Sequence, residues 1–162
     1  MGDHVLELGS GPGAATDELS RRARRVTSVE YSHSFAANLA ARQLQRNTPV
    51  SVLRGDAAAL PFADGSFSSA IAILMLHHLR SADMQRRAFS EIHRVLRPNG
   101  VFLVFEIHDG RLQRAIHLHS TFVPVDAATA PARLAAAGFT DVSIDAHAGG
   151  FRICAIRHQQ HV

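Results

Sequence analysis

The sequence predicts a single α/β domain with a doubly wound, mostly parallel sheet of seven strands and an antiparallel last strand. Short apolar runs alternate with longer amphipathic segments through residues 5–107, which is typical of consecutive strand–helix units. The run AIAILML at 70–76 is apolar at every position, as expected for a strand that helices cover on both faces. After residue 130, a helix and two strands joined by a Gly-Gly turn complete the sheet.

The individual elements follow from this periodicity and from the residues that begin and end them. Strands are predicted at 5–8, 26–30, 50–53, 70–76, 101–107, 142–145 and 151–156, and helices at 14–23, 34–46, 82–96 and 131–137, with a helical piece around 112–117 in the otherwise irregular stretch 108–129. Asp17 and Glu18 suit the positive end of the first helix, and the Asn-Thr-Pro segment at 47–49 ends the second. The Arg-Pro-Asn-Gly segment at 97–100 ends the third helix, and Gly138 ends the fourth.

Composition limits the classes of protein to consider. A chain of 162 residues, 46% hydrophobic and 19% charged, predicts one globular domain over 1–162 rather than a disordered segment. No apolar run approaches the roughly 20 residues of a membrane span, so no membrane partner is expected. The single Cys154 excludes an internal disulfide and favours a reducing compartment, which predicts a cytoplasmic location.

The basic residues do not indicate a nucleic-acid partner. All 17 are Arg, yet the formal net charge is only +3. The one dense cluster, at 21–25, lies at the end of a predicted helix, where the helix dipole favours cations. A solvated helix end explains this cluster, and no aromatic-rich basic surface accompanies it.

The segment ELGSGPG at residues 7–13 carries the first chemical signal. Glycines at the end of a strand let a ligand approach the backbone, and the helix that follows offers free amide donors. Glu30 ends the second strand, where a carboxylate accepts hydrogen bonds from ribose hydroxyls, although NAD-binding proteins share both features. Glu7 is not part of the dinucleotide pattern, and its carboxylate suits a ligand with an ammonium group. Asp56, at the end of the third strand, supplies an acceptor for an adenine amino group.

Seven segments together resemble the class I S-adenosylmethionine-dependent methyltransferases, in particular the subgroup that includes ubiquinone and menaquinone biosynthesis methyltransferases. They are VLELGSGPG (5–13), VEYS (29–32), GDA (55–57), LPF (60–62), DGSF (64–67), LHHL (76–79) and EIHRVLRPNG (91–100). Each segment alone is a weak signal, but the set has the family's order and spacing. The resemblance implies a Rossmann-like fold, with a cofactor-binding half at 5–107 and an acceptor-side loop and C-terminal strands at 108–162.

The resemblance also implies S-adenosylmethionine as the cofactor, with S-adenosylhomocysteine as the product. The predicted cofactor-binding residues are Glu7, Gly9, Ser10, Gly11, Gly13, Glu30, Tyr31, Asp56, Ala57 and Leu74. The glycines would wrap the methionine end, Glu30 would bind the ribose, and Tyr31 would lie against the adenine. Asp56 would take the adenine amino group and Ala57 its ring edge. The structural alternatives are a partly buried Tyr31 and a surface-solvating Asp56.

The candidate catalytic residue is His77, as a general base if the acceptor is a hydroxyl. His77 and His78 close the predicted fourth strand on the ligand side, and strand alternation turns only one of them toward the acceptor. The alternative for His77 is a hydrogen-bonded structural histidine. The other acceptor-side candidates are His78, Glu106 and His108. His117 and His119 lack a third ligand at a suitable spacing, so no metal is predicted.

The sequence therefore predicts an S-adenosylmethionine-dependent methyltransferase that acts on a small molecule by in-line displacement. A non-catalytic S-adenosylmethionine-binding module or a truncated methyltransferase core is the first alternative, because the family carries N-terminal helices over the cofactor and only four residues precede the first strand here. The missing helical cover also predicts a homo-oligomer in which a second copy closes the site. An NAD(P)-dependent oxidoreductase is less favoured, because it explains neither Glu7, nor Asp56, nor the Pro-Asn-Gly segment at 98–100.

Overall fold

The computed structural model describes residues 3–116 and 121–159. The strands are His4–Leu8 (β1), Arg25–Glu30 (β2), Val50–Arg54 (β3), Phe67–Ile73 (β4), Leu96–Glu106 (β5), Thr140–His147 (β6) and Gly150–Arg157 (β7). They form one sheet in the order β3-β2-β1-β4-β5-β7-β6. Neighbouring strands are parallel from β3 to β5, and β7 is antiparallel to both β5 and β6. The predicted α/β fold, with its antiparallel last strand, is confirmed.

A loop without a helix connects β3 to β4, and the described residues also form five α-helices. They are Ala14–Arg22 (α1), His33–Gln45 (α2), Ala82–Val95 (α3), Arg111–Ile116 (α4) and Ala130–Ala136 (α5). α3 begins after Ser81, whose hydroxyl accepts a hydrogen bond from the Met84 amide at 3.1 Å. α1 begins after Gly13, whose φ of 89° lies in the left-handed region, so no side chain caps its first turn. β1 lies between β2 and β4, and this reversal of strand order marks the place where open α/β sheets bind ligands.

β4 ends three residues earlier than predicted. Leu74 leaves the strand with a φ of +53°, and its amide donates to the carbonyl of Phe105 at 2.9 Å. Residues Leu76–His78 then form a short 3-10 turn. The apolar run at 70–76 is therefore not one strand, because the backbone turns at Leu74, which takes a left-handed conformation. Apolar character alone does not distinguish these conformations.

β5 begins earlier than predicted, directly after α3. Leu96 already pairs with Phe67 of β4, and Gly100 pairs with Arg157 of β7. Asn99 takes a φ of +62°, which Asn tolerates better than most residues. The segment at 97–100 therefore follows the helix, as expected, but forms part of β5. The pairing of β5 with β4 changes register between Phe67 and Ser69.

The main core lies between one face of the sheet and the helices α3 and α5. Its largest fully buried side chains are Phe67, Phe89, Phe102, Phe139, Phe151, Leu6, Leu8, Leu76, Ile92, Leu96 and Leu134. α3 contributes Ala88, Phe89, Ile92 and Val95, which recur at helical spacing on one face. Burying each large side chain stabilises the fold by roughly 1.5–3 kcal/mol. Phe89→Ala should lower the free energy of unfolding by about 3–5 kcal/mol, because the Phe89 side chain is fully buried.

The opposite face of β4, β5 and β7 is only partly covered. Its side chains include Ile71, Ile73, Leu103, Phe105 and Cys154, which line a groove of about 430 Å³. Ile73 is 37% exposed and Leu103 is 39% exposed. The expectation that helices cover the fourth strand on both faces is therefore wrong at Ile73. We refer to these five residues as the open sheet face.

No helix in the described part of the chain combines the length and the apolar character needed to cross a bilayer.

Candidate active site

A cavity of about 630 Å³ lies at the carboxyl ends of β1 to β4. The predicted cofactor-binding residues that line it are Glu7, Gly9, Ser10, Gly11, Glu30, Tyr31, Asp56, Ala57 and Leu74. Gly13 is the one member of the predicted set that does not line the cavity. Residues far apart in the sequence meet here because parallel strands present their carboxyl ends at one edge of the sheet.

The glycine loop, residues 9–13, forms one end of the cavity. Gly9, Gly11 and Gly13 have φ values of +68°, +49° and +89°, which side-chain-bearing residues rarely adopt. A Cβ on Gly9 would lie 2.6 Å from the Cβ of Met75, so that position has no room for a side chain. A Cβ on Gly11 would meet no heavy atom within 4 Å, so Gly11 leaves open space where a ligand can reach the backbone.

Gly13 is required by packing rather than by the cavity. A Cβ there would lie 2.5 Å from Leu39 Cδ1 and would also collide with the guanidinium of Arg42, both on α2. The Gly13 amide donates to the carbonyl of Ser10 at 2.8 Å and closes the turn of the loop. Gly13 thus lets α2 approach the loop, a role that the sequence did not separate from ligand binding.

Glu30 joins the end of β2 to the glycine loop. Its Oε2 accepts a hydrogen bond from the Gly11 amide, and its Oε1 accepts one from the Ser32 amide, both at 2.8 Å. The side chain is only 7% exposed. Each carboxylate oxygen has two lone pairs, so both can still accept a hydrogen bond from a ligand hydroxyl.

Glu7 has a different environment, deeper in β1. Its Oε2 accepts a hydrogen bond from the Thr16 hydroxyl at 2.7 Å. Its Oε1 and the Ser10 hydroxyl are buried and have no hydrogen-bond partner within the described residues. Burial raises the pKa of the Glu7 carboxyl, against the opposing effect of the Thr16 hydrogen bond. The Ser28 hydroxyl also lowers the pKa of this carboxyl. Glu7 and Ser10 both line the cavity, so this end of it is polar.

Tyr31, Arg80, Asp56 and Ala57 line another part of the cavity. Tyr31 is 61% exposed, and the guanidinium carbon of Arg80 lies 5.8 Å from its ring centroid. Asp56 accepts a hydrogen bond from the Ala58 amide at 2.8 Å, which fixes its carboxylate beside the buried Ala57. The exposed position of Tyr31 argues against its being a core aromatic.

His77 and His78 lie on the 3-10 turn, so strand alternation does not decide which of them faces the cavity. His77 is 3% exposed, and its Nδ1 lies 2.5 Å from Glu106 Oε2. Glu106 Oε1 accepts a hydrogen bond from the Leu76 amide at 2.7 Å. His78 lines the cavity, whereas His77 and Glu106 do not. The structure thus corrects the expected geometry: His78 faces the cavity, and the His77–Glu106 pair supports the turn.

The remaining acceptor-side candidate is held away from the cavity. His108 Nε2 donates to the carbonyl of His147 at 2.8 Å, and its ring packs against Phe151 with 5.6 Å between centroids. His108 is not among the cavity-lining residues. His117 and His119 lie outside the described residues.

Several cavity residues were not predicted from the sequence. They are the apolar residues Leu8, Pro12, Ala14, Ala15, Val29, Phe35, Ile73, Met75, Leu79 and Met84, together with Ser32, Gly55 and Arg80. Arg80 directly follows the LHHL segment, so its position was the available signal. The apolar residues gave none, because a wall residue and a core residue have the same chemistry.

A family model described as a methyltransferase domain matches residues 6–104. The chain belongs to the methyltransferase family. The match covers more than half of the chain and includes the glycine loop, Glu30, Asp56 and the two histidines of the turn. The class predicted from the sequence, the class I S-adenosylmethionine-dependent methyltransferases, is confirmed.

Individual relatives of the methyltransferase domain agree with this assignment. A protein of Mycolicibacterium smegmatis described as a probable S-adenosylmethionine-dependent methyltransferase is 37% identical over 64% of this chain and 37% of its own length. A demethylmenaquinone methyltransferase of Beutenbergia cavernae is 33% identical over 65% of this chain and 41% of its own. The chain thus matches less than half of the length of either relative.

Solved structures show the same fold at low sequence identity. The YcgJ protein of Bacillus subtilis superposes with a TM-score of 0.80 at 15% identity, over 97% of this chain and 92% of that one. Phosphoethanolamine N-methyltransferase 2 of Haemonchus contortus, solved with phosphomonomethylethanolamine and S-adenosylhomocysteine, gives a TM-score of 0.82 at 14% identity. That match covers 98% of this chain and 49% of the other.

Proposed function

We propose that this methyltransferase chain transfers a methyl group from S-adenosylmethionine to a small-molecule acceptor. The observation that carries the proposal is the buried Glu7 carboxylate, which lines the cavity beside the glycine loop. A ligand with an ammonium group at this end of the cavity would complement its negative charge. The anionic pyrophosphate of NAD would instead be repelled by it, which argues against an oxidoreductase.

The lining residues fit the parts of S-adenosylmethionine in order. Gly9, Ser10 and Gly11 would hold the methionine end, where open space and an unpartnered hydroxyl are available. The Glu30 carboxylate would accept from the ribose hydroxyls. The adenine would contact Tyr31, Asp56, Ala57 and Leu74. Gly13 would act indirectly, by closing the loop against α2.

The protein's part in the reaction is to align two reactants. When bound, S-adenosylmethionine supplies an activated methyl group, which is the difficult part of the chemistry. Holding donor and acceptor in attack geometry lowers the barrier by roughly 7–11 kcal/mol, so a dedicated catalytic group is not obligatory. Met75, Leu79 and Met84 give the acceptor end of the cavity apolar walls, which suit a small, largely apolar acceptor.

His78 is the acceptor-side residue best placed to take a proton. It lines the cavity, and its ring centroid lies 4.2 Å from that of His77. The buried His77–Glu106 pair and the bond from the Leu76 amide to Glu106 fix the turn that carries His78. For a hydroxyl acceptor, a base at this position would accelerate transfer by roughly 10²–10⁴-fold.

The first test is isothermal titration calorimetry with S-adenosylmethionine, S-adenosylhomocysteine and NADH. We expect micromolar binding of the first two ligands and no binding of NADH. Glu30→Ala should weaken S-adenosylhomocysteine about 100-fold, because it removes a charged acceptor and the loop contact to Gly11. Glu18→Ala is the matched control, because Glu18 is a helix carboxylate that pairs only with Arg21 and Arg22 in the described residues.

Turnover then separates an enzyme from a binding module. We expect the wild-type chain to release S-adenosylhomocysteine from S-adenosylmethionine faster with a suitable acceptor than without one. The panel of small apolar acceptors should include hydroxyl compounds, amines and compounds with a nucleophilic carbon atom. Binding without turnover on any acceptor would leave a cofactor-binding module. No binding of any of the three ligands would contradict the proposed function.

A further inference from the structure

Arg42 contacts the glycine loop from α2, outside the cavity. Its Nη1 donates to the Pro12 carbonyl at 2.8 Å. Its Nη2 lies 3.3 Å from the Gly13 carbonyl and 3.3 Å from Asp17 Oδ1. One guanidinium therefore joins two consecutive loop carbonyls to a carboxylate in the first turn of α1. Arg42 does not line the cavity, so any effect on a ligand there acts through the loop.

The carboxylate that orients Arg42 is itself held by α2. Gln43 Nε2 donates to Asp17 Oδ1 at 2.8 Å, and Arg46 Nη1 lies 3.1 Å from Asp17 Oδ2. Partial burial opposes ionisation of Asp17, but the hydrogen bonds from Gln43 and Arg46 and the charge of Arg42 outweigh it and lower its pKa. Asp17 is therefore a carboxylate at neutral pH and keeps the guanidinium of Arg42 in place.

The loop depends on such external contacts because its own conformation is unfavourable to fix. Its three glycines have positive φ and lose much conformational freedom on ordering. Inside the loop, the Gly13 amide donates to the Ser10 carbonyl, and the Gly11 amide donates outward to Glu30 at the end of β2. Arg42 adds the contact that sets the distance between the loop and α2.

We propose that Arg42 is a positioning residue that holds the glycine loop in its ligand-binding conformation and so sets the affinity for the methionine end of S-adenosylmethionine. The inference rests on the proposed function, which assigns the loop to the methionine end and Glu30 and Asp56 to the adenosine end. Loss of Arg42 should therefore weaken ligands that carry the amino-acid part and spare ligands that lack it.

The test compares two ligands by calorimetry, S-adenosylhomocysteine and 5′-deoxy-5′-methylthioadenosine, which has the adenosine but no amino acid. Arg42→Met should weaken S-adenosylhomocysteine roughly tenfold, or about 1.4 kcal/mol, and methylthioadenosine less than about twofold. Arg87→Met is the matched control, because Arg87 is an exposed arginine that pairs with Asp83 of its own helix α3 and has no contact with the loop or with Asp17 among the described residues. It should change the affinity for either ligand less than about twofold.

Thermal melting of each variant shows whether a loss of affinity reflects a loss of folding. Arg42→Gln gives the same comparison if Arg42→Met does not fold, since it keeps one neutral donor. Unchanged affinity of the Arg42 variants for S-adenosylhomocysteine would overturn the inference and leave the proposed function standing, and an equal loss for both ligands would overturn it as well. Absence of binding to the wild-type chain would instead remove the proposed function.

Discussion

Two buried carboxylates at the ends of adjacent strands differ in what already satisfies them. Glu30 accepts backbone hydrogen bonds on both oxygens, from Gly11 and Ser32, so its position is fixed before a ligand arrives. Glu7 has one oxygen bonded to Thr16 and a second oxygen that is buried without a partner in the described residues. Its ionisation therefore costs stability until a cationic group reaches it.

This difference predicts opposite effects of Glu7→Gln on stability and on binding. A raised pKa in the folded state means that the stability contributed by Glu7 is present below the usual pKa of Glu and is lost as the pH rises through the raised value. Glu7→Gln should therefore increase the free energy of unfolding of the ligand-free chain by about 1 kcal/mol at pH 7. At pH 3.5 the difference should disappear, as measured by urea unfolding at both pH values.

The same variant should bind S-adenosylhomocysteine more weakly, because the amide does not attract the ammonium group. Glu18→Gln serves as a control, since it makes the same change at an exposed helix carboxylate outside the cavity. A Glu7→Gln chain that is less stable than the wild type at pH 7 would contradict the prediction.

At the scale of elements, Arg94 holds α3 against the loop between β3 and β4. Its guanidinium donates to the carbonyls of Phe62 at 2.7 Å and Leu60 at 3.0 Å, and to Asp64 at 2.8 Å. It also forms an ion pair with Glu91, whose Oε2 accepts from the Leu60 amide at 2.7 Å. The segment at 91–100, which is one of those that carry the family resemblance, therefore stabilises the loop between β3 and β4. That loop begins with the cavity residues Gly55 and Asp56.

Arg94→Met should lower the free energy of unfolding by about 2 kcal/mol at pH 7, because it leaves two loop carbonyls and Glu91 without their donor. The hydrogen bond from Arg94 lowers the pKa of Glu91, so this stability is present above the usual pKa of Glu and is lost as the pH falls through the lowered value. Urea unfolding should show a smaller effect at pH 3 than at pH 7.

Arg87→Met is the control for this prediction, because Arg87 pairs with Asp83 on the exposed side of the same helix. Its effect should stay within about 0.5 kcal/mol. An Arg94→Met effect as small as that of the control would show that the network contributes little.

At the scale of the whole molecule, the mostly parallel sheet, its antiparallel last strand and most element positions were predictable because they follow from local periodicity and chain order. Helix α2 lies within one residue of its predicted bounds at each end. The end of β4 was not predictable, because the left-handed conformation of Leu74 that ends the strand leaves no signal in a run of apolar residues. The strand pair β6 and β7 is longer than predicted, since its polar outer positions conceal its ends.

The residues of the candidate site also differ in whether local sequence features or long-range contacts determine them. Glycines and carboxylates at strand ends can be recognised by their residue type and position in the sequence, so most of the polar residues that line the cavity were predicted. The contribution of Arg42 was not, because it reaches a loop 29–30 residues away in the sequence. The exchange of His77 for His78 at the cavity wall has the same origin, since it depends on where β4 ends.

The open sheet face should make the chain bind apolar probes. Parallel sheets are normally covered on both faces, yet Ile73 and Leu103 remain more than a third exposed. Leu103→Gln should reduce the fluorescence of bound anilinonaphthalene sulfonate by about half and leave S-adenosylhomocysteine affinity unchanged, because Leu103 does not line the active-site cavity. Light scattering on the wild-type chain and on the Leu103→Gln variant measures the molar mass and so tests the predicted homo-oligomer. Unchanged dye binding would show that this face is not the apolar surface that the dye detects.

The chain contains one tyrosine and no tryptophan, and that tyrosine, Tyr31, lines the cavity at the carboxyl ends of the strands. Its intrinsic ultraviolet emission therefore comes from a single ring, exposed to solvent and next to Arg80. Any ligand that stacks on this ring changes its emission, while events elsewhere in the molecule leave it nearly silent. The protein thus carries an unlabelled optical reporter in its own site, suited to following how fast each ligand enters and leaves.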